Sequence, residues 1–297
     1  MAMNPKNKNI KDLFPRTLVN INGEIYPPEA ANISVFDRGF LYGDSVYEVT
    51  KTIKGKCLFL EEHLDRLYNS AELIAMPVLF TRAEIKKEIE KTVKALDVDQ
   101  AYVRFVVTRG ITPIGLDVQT EQNNMVIVVK EYPDYPAWWY EKGVSVCISS
   151  FLRNDPKATD PNAKSGNYLN NVLALLDARK KEFFDAVMTN KDGFITEGTT
   201  NNIWMIKNGE ILTPPLKAGL LKGITRDKIL DIMKKEKFKG GEKNFTPAEF
   251  LEADEAFFTS STKGIVPICQ INEKILQNTP GPITKKLMTS YEKLLKA

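Results

Sequence analysis

Asn162-Ala163-Lys164-Ser165-Gly166-Asn167-Tyr168-Leu169-Asn170-Asn171 lies between a polar Asp- and Pro-containing loop at 153–163 and a long amphipathic helix expected over about 167–184. A lysine becomes useful to chemistry when its amine is held still and its pKa is lowered. A loop end braced by a helix start allows both. Further along comes Glu197-Gly198-Thr199-Thr200-Asn201-Asn202, a carboxylate closing a strand. Two candidate phosphate cradles follow, Gly223-Ile224-Thr225-Arg226 and Ser260-Ser261-Thr262. An amine, a carboxylate and two anion cradles in this order point to a phosphorylated aldehyde held as a Schiff base.

The 297 residues are enough for one large domain or two modest ones. A net charge of +3 is spread along the chain apart from a lysine-rich start at Lys6, Lys8 and Lys11, so no nucleic-acid patch is expected. Apolar runs such as Val126-Ile127-Val128-Val129 are too short to span a bilayer, and the start lacks a signal-peptide core. The expected location is cytoplasmic. Cys57, Cys147 and Cys269 are scattered, which suggests neither a disulfide framework nor a metal site. The single histidine, His63, falls beside the stripe Leu60, Leu64, Leu67, Ala71 and Ile74, where a packed or partly exposed helical residue is expected. Acid–base work therefore falls to lysine, tyrosine or carboxylates.

Outward from this region the pattern reads as α+β. A hairpin turns at Asn22-Gly23, and strands are expected at Ser45–Ile53, Ala101–Thr108 and Met125–Lys130. Helices are expected at about 61–75 and 83–96. Prolines at 133 and 136 mark a boundary. The expected division is a small N-terminal domain over 1–131, a linker over 132–140 and a larger domain over 141–297. The larger one begins with a strand at Val144, Val146 and Ile148 and meanders through Asp192-Gly193 and Asn208-Gly209. Helices near 225–237, 247–251 and 282–295 and a strand near 255–259 complete it.

Gly223-Ile224-Thr225-Arg226 opens a helix, whose unpaired N–H groups and dipole suit an anion. Alone it reads as an ordinary Thr N-cap, Ser260-Ser261-Thr262 as a common turn, and Arg66 as a salt-bridged helix residue. Together they offer a guanidinium, amides and hydroxyls to one dianion. Glu197 is suited to keep a pyridine nitrogen protonated, though glutamate before glycine is common in turns. Tyr168 is a candidate phenol donor, or an aromatic opening a buried helix face.

The ordered set resembles the class IV, or fold type IV, pyridoxal-phosphate aminotransferases, which include the branched-chain and D-amino-acid enzymes and aminodeoxychorismate lyase. It spans about residues 17–271: Arg38-Gly39 with Tyr42-Gly43-Asp44-Ser45-Val46-Tyr47-Glu48, Glu62-His63-Leu64-Asp65-Arg66-Leu67, Lys164 with Asn167-Tyr168-Leu169, Glu197-Gly198, Gly223-Ile224-Thr225-Arg226 and Ser260-Ser261-Thr262. The resemblance implies a smaller N-terminal α/β domain and a larger one with a meandering β core. It implies pyridoxal 5'-phosphate as cofactor, with Lys164 forming the Schiff base and Glu197 meeting the pyridine nitrogen. Tyr168 would face the ring oxygen, Leu221 would pack under the ring, and Arg66, Ile224, Thr225 and Ser261 would hold the phosphate. Amino acids and 2-oxo acids would be the substrates, exchanged in ping-pong fashion. A homodimer is implied, with a partner loop helping to close the site.

Substrate choice is expected at Phe40, Tyr42, Tyr47, Lys51, Tyr102, Arg104, Arg109, Thr262 and Lys263. Alternation on Ala101–Thr108 buries Val103, Phe105 and Val107 and puts Tyr102 and Arg104 on the other face. The Tyr-x-Arg pattern is similar to branched-chain enzymes, and the Arg-x-His trap of D-enzymes is absent, with Ile114 and Leu116 in its place. Val46-Tyr47-Glu48-Val49-Thr50-Lys51 is instead similar to the D-enzymes. Lys51 stands where the branched-chain enzymes carry an arginine, and can act only as a point charge. Branched-chain L-amino acids with 2-oxoglutarate are the favoured pair. A D-amino-acid transaminase using Arg104 or Arg109 comes next, then an aminodeoxychorismate lyase. An anion-binding α/β module with a surface Lys164 is the non-enzyme alternative.

Overall fold

The computed structural model describes residues 9–117, 122–132 and 135–296. Pro133 and Asp134 of the expected linker, and Lys6 and Lys8 of the basic start, lie outside the described residues. The chain divides into two compact units, Met1–Pro133 with Lys164–Asn167, and Asp134–Ala163 with Tyr168–Ala297.

The first unit is one antiparallel sheet covered on one face by two helices. Its elements are α1 (Ile10–Leu13), β1 (Thr17–Ile21), β2 (Glu24–Tyr26), α2 (Arg38–Tyr42), β3 (Ser45–Ile53), β4 (Lys56–Cys57), α3 (Leu60–Leu73), α4 (Arg82–Leu96), β5 (Ala101–Thr108) and β6 (Asn124–Glu131). Among the described residues the sheet order is β2-β1-β6-β5-β3-β4. Alternation sends Val103, Phe105 and Val107 of β5 and Ile127 and Val129 of β6 into one core with Leu64, Leu67, Ile85 and Ile89 from the helices. The expected turn at Asn22-Gly23 joins β1 to β2, with both residues at positive φ. α4 opens on a capping box, Thr81 with Glu84.

The second unit contains α5 (Trp138–Glu141), β7 (Val144–Ile148), α6 (Leu169–Lys180), β8 (Asp185–Thr189), β9 (Ile195–Gly198), β10 (Asn202–Lys207), β11 (Glu210–Thr213), α7 (Ile224–Lys235), β12 (Gly240–Glu242), α8 (Pro247–Leu251), β13 (Glu255–Ser260), β14 (Gly264–Ile271), β15 (Lys274–Ile275) and α9 (Pro282–Lys296). Strands β10-β13-β14-β7-β8-β9 run in sequence, and β9 pairs back to β10 through Glu197 and Asn202, closing a ring. Val146, Val187, Ile203, Phe258 and Ile268 belong to one core cluster. Trp204, Phe257 and Ile265 pack with α7 and α9. Cys147, Ala186 and Met188 pack with Ala174 and Ala178 of α6.

Three differences from the expected elements have local causes. α6 begins at Leu169, with Tyr168 as its N-cap, and ends at Lys180, since Glu182 turns to a φ of +63°. The five residues of α2 are too few to display a helical period. Strand β14 was not expected, because its burial is nearly continuous and Pro267 breaks the pattern.

Candidate active site

In the first unit, Lys164 is held by its backbone. Its N–H donates to Ser70 Oγ at 3.1 Å, and its carbonyl accepts from the Tyr47 N–H at 3.0 Å. A bridge between Val46 and Ser165 extends that pairing. Lys164 Nζ lies 3.3 Å from the Tyr47 hydroxyl and 4.3 Å from its ring centre. Arg104 sits over the same ring at 3.9 Å. Lys51 pairs across the strands with Tyr102, and its amine lies 4.9 Å from the Tyr132 ring. Burial lowers the Lys51 pKa from the ordinary lysine value. Tyr47, Val49 and Lys51 alternate with the buried Val46, Glu48 and Thr50, as expected of one strand face.

Arg66 is ion-paired to Glu48, with Nε to Oε1 at 2.6 Å and Nη2 to Oε2 at 2.8 Å. His63 is wholly buried, with Nδ1 2.7 Å from Glu48 Oε2, which narrows the expected packed or partly exposed residue to a packed one. Arg109, weighed as a carboxylate trap, is engaged instead with Asp44 Oδ2 at 2.7 Å and with the carbonyls of Ala75 and Ile74. Arg38 meets the same Asp44 oxygen at 2.9 Å and stacks over Tyr42. Phe40 on α2 is largely exposed.

In the second unit, Glu197 is buried at the ring closure. Its Oε1 accepts from Arg153 Nε at 2.8 Å and its Oε2 from the Leu221 N–H at 3.1 Å. Asn202 Nδ2 donates to the Leu221 carbonyl, so Glu197, Asn202 and Leu221 form one assembly. Ile224 and Thr225 are the first residues of α7. The cap is Gly223, with no side-chain cap bond, rather than the threonine that the bare sequence suggests. The turn 261–263 joins β13 to β14; Lys263 N–H donates to Ser260 Oγ at 3.2 Å. Burial lowers the Lys263 pKa, opposed by Asp185 and reinforced by Arg179. Tyr168 stands at the N-cap of α6 and Thr262 in the β13–β14 turn.

The donor set fits a phosphorylated pyridine. The start of α7 is uncapped, and its second residue, Thr225, carries a buried hydroxyl. Among the described residues that hydroxyl has no hydrogen-bond partner, although the Tyr291 phenol lies near it. That combination suits an anion. Glu48, His63, Arg153 and Asn202 were missed as partners of the predicted residues. A carboxylate at Glu48, in the buried alternation of β3, was the available signal.

Residues 45–271 match the family described as amino-transferase class IV. The chain is 33% identical to the branched-chain-amino-acid aminotransferase of Pseudomonas aeruginosa, over 91% of this chain and 90% of that protein. It is 32% identical to the D-alanine aminotransferase of Bacillus licheniformis, over 92% and 95%. The crystal structure of the branched-chain aminotransferase from Thermoproteus uzoniensis with norvaline superposes with a TM-score of 0.87 at 30% identity, covering 93% of each chain. The chain belongs to the class IV aminotransferases, and its chemistry is that of a pyridoxal-phosphate-dependent transaminase.

Proposed function

We propose that this enzyme moves an amino group from branched-chain L-amino acids to 2-oxoglutarate in two half-reactions of ping-pong form. The carrying observation is Lys164. Its backbone is clamped at N–H and carbonyl while its amine is left on the Tyr47 ring. Bound pyridoxal phosphate supplies an electron sink for the charge left at the substrate Cα. Lys164 Nζ removes the Cα proton. Glu197, fixed by Arg153 and the Leu221 amide, holds a proton at the pyridine nitrogen. Arg66, Ile224, Thr225 and Ser261 would hold the phosphate, and Tyr168 and Leu221 would hold the ring. Tyr47 and Val49 supply an apolar wall for a branched side chain, and Lys51 and Arg104 supply charge for the second carboxylate of 2-oxoglutarate. Phe40, Tyr42, Tyr102, Thr262 and Lys263 are the further residues assigned to substrate binding.

A D-amino-acid transaminase is the second reading. It is favoured by the relative named D-alanine aminotransferase and by Arg104, which has no carboxylate partner among the described residues. Its trap would be Arg104, since Arg109 is engaged by Asp44. Holoenzyme mixed separately with L-leucine, D-alanine and D-glutamate separates the readings. Loss of the visible cofactor band with L-leucine supports the first, and loss with D-amino acids alone overturns it.

We further infer a cytoplasmic homodimer. The three cysteines are unpaired thiols, in keeping with a reducing compartment. Leu169, Val172, Leu173 and Leu176 form an exposed stripe on α6, and Asn170 Nδ2 ties the exposed Leu152 to that helix. The first unit exposes Val35, Phe36, Phe40, Ile111, Ile114 and Leu116. A stable dimer buries roughly 800 Å² per partner, which patches of this kind can supply. Sedimentation of Leu173→Asp at several concentrations tests this; an undiminished dimer would exclude the α6 stripe.

A further inference from the structure

Glu48 lies on β3 among Val46, Thr50 and Thr52, all wholly buried. A lone carboxylate there costs several kcal/mol even after relaxation, so its partners decide whether it is tolerated. Arg66 gives it Nε and Nη2, and His63 gives it Nδ1. His63 and Arg66 are three residues apart on α3, so both reach the same spot. Burial alone would raise the Glu48 carboxyl. Arg66 and then His63 outweigh it and hold the group far below the ordinary range. Burial pushes the His63 imidazole down against the pull of Glu48. Neutral His63 then donates Nδ1–H to Glu48, and its Nε2 finds no hydrogen-bond partner among the described residues. One turn along, Ser70 Oγ donates to the Arg66 carbonyl at 2.7 Å and accepts the Lys164 N–H.

An arginine on a helix surface has many rotamers, and ordering it costs about 2 kcal/mol. A carboxylate that takes Nε and Nη2 together fixes the guanidinium plane, and with it the direction of the rest of the group. We propose that Glu48 and His63 are positioning residues for the cofactor phosphate: Glu48 sets the plane of Arg66, and His63 keeps Glu48 in place. The inference rests on the reading of Arg66 as a phosphate ligand. It opposes simple electrostatics, because the negative charge of Glu48 repels a phosphate. If charge governed, its removal would tighten binding; if positioning governs, its removal weakens it.

Equilibrium dialysis of the apoenzyme against pyridoxal phosphate and against pyridoxal, which lacks the phosphate, separates the two. The measured quantity is the ratio of the two affinities, which general loosening of the fold leaves alone. Glu48→Gln and His63→Leu should each lower this ratio by about tenfold, the lower range for losing an outer-sphere partner. His63→Asn, which retains a donor near Nδ1, should restore most of it. An unchanged or higher ratio in Glu48→Gln overturns the proposal. Arg66→Ala is the control. If it too leaves the ratio unchanged, Arg66 is not a phosphate ligand and both readings fall; if it lowers the ratio while Glu48→Gln does not, only the positioning claim fails. Should Glu48→Gln not fold, Glu48→Asp keeps the charge, draws the carboxylate back by one methylene, and should show the same loss.

Discussion

Arg153 and Glu197 form a nearly buried ion pair, and the Leu221 amide occupies the second carboxylate oxygen. Removing one member of such a pair strands the other's charge. Arg153→Ala should therefore cost about 3 kcal/mol. Urea unfolding of the apoenzyme measures this, and a midpoint equal to wild type would show that the pair contributes nothing.

Asp44 joins Arg38 and Arg109, and Arg38 Nη1 also reaches the Gly115 carbonyl at 2.7 Å. Burial would raise the Asp44 carboxyl, but hydrogen bonds from Arg109 and Arg38 outweigh it, and the folded-state pKa lies below the ordinary value. Its stabilisation is therefore complete above the unfolded aspartate pKa of about 3.9 and is lost as pH falls through the lower folded value. The stability gap between wild type and Asp44→Asn should be constant near neutrality and close on acidification. Thermal unfolding across pH checks it; a gap that widens in acid would contradict the assignment.

A Cβ at Gly223 would lie 1.9 Å from Asn202 Oδ1, and Asn202 holds the Leu221 carbonyl. Gly223→Ala should cost about 1–3 kcal/mol through overpacking. It should also weaken cofactor binding, so the rise in Tm on adding pyridoxal phosphate should shrink. An unchanged Tm and an unchanged rise would mean that Asn202 yields freely.

Lys51 has no ion-pair partner among the described residues and lies on the same strand face as Tyr47. Lys51→Met should raise KM for 2-oxoglutarate about tenfold and leave KM for a monocarboxylic 2-oxo acid within about twofold. Equal effects on both acceptors would remove Lys51 from the recognition of the second carboxylate.

The elements with strong periods were legible in the sequence: β5, α3 and α4 alternate or repeat along their length. The nearly all-buried β14 and the single turn of α2 gave no such period. Among the residues expected at the site, Lys164, Arg66 and Glu197 were picked out through motif order. Their partners were not, because Glu48 reaches Arg66 and Lys164 reaches Ser70 across long stretches of chain, and spacing carries no trace of that. Arg109 shows the converse. Its residue type suggested a ligand trap, while the fold uses it to hold Asp44 and two helix-end carbonyls.

The ring of strands in the second unit is joined at β9 and β10 by one residue pair, Glu197 with Asn202, where β10 and β13 share five. A closed curve with one thin rung has a built-in place to part. Amide hydrogen exchange should begin there before it reaches Trp204 or Phe257. On the proposed assignment of that rung's carboxylate to the pyridine nitrogen, an occupied enzyme would be fastened at its weakest stitch, and the cofactor would act as a rivet in the scaffold as well as a reagent.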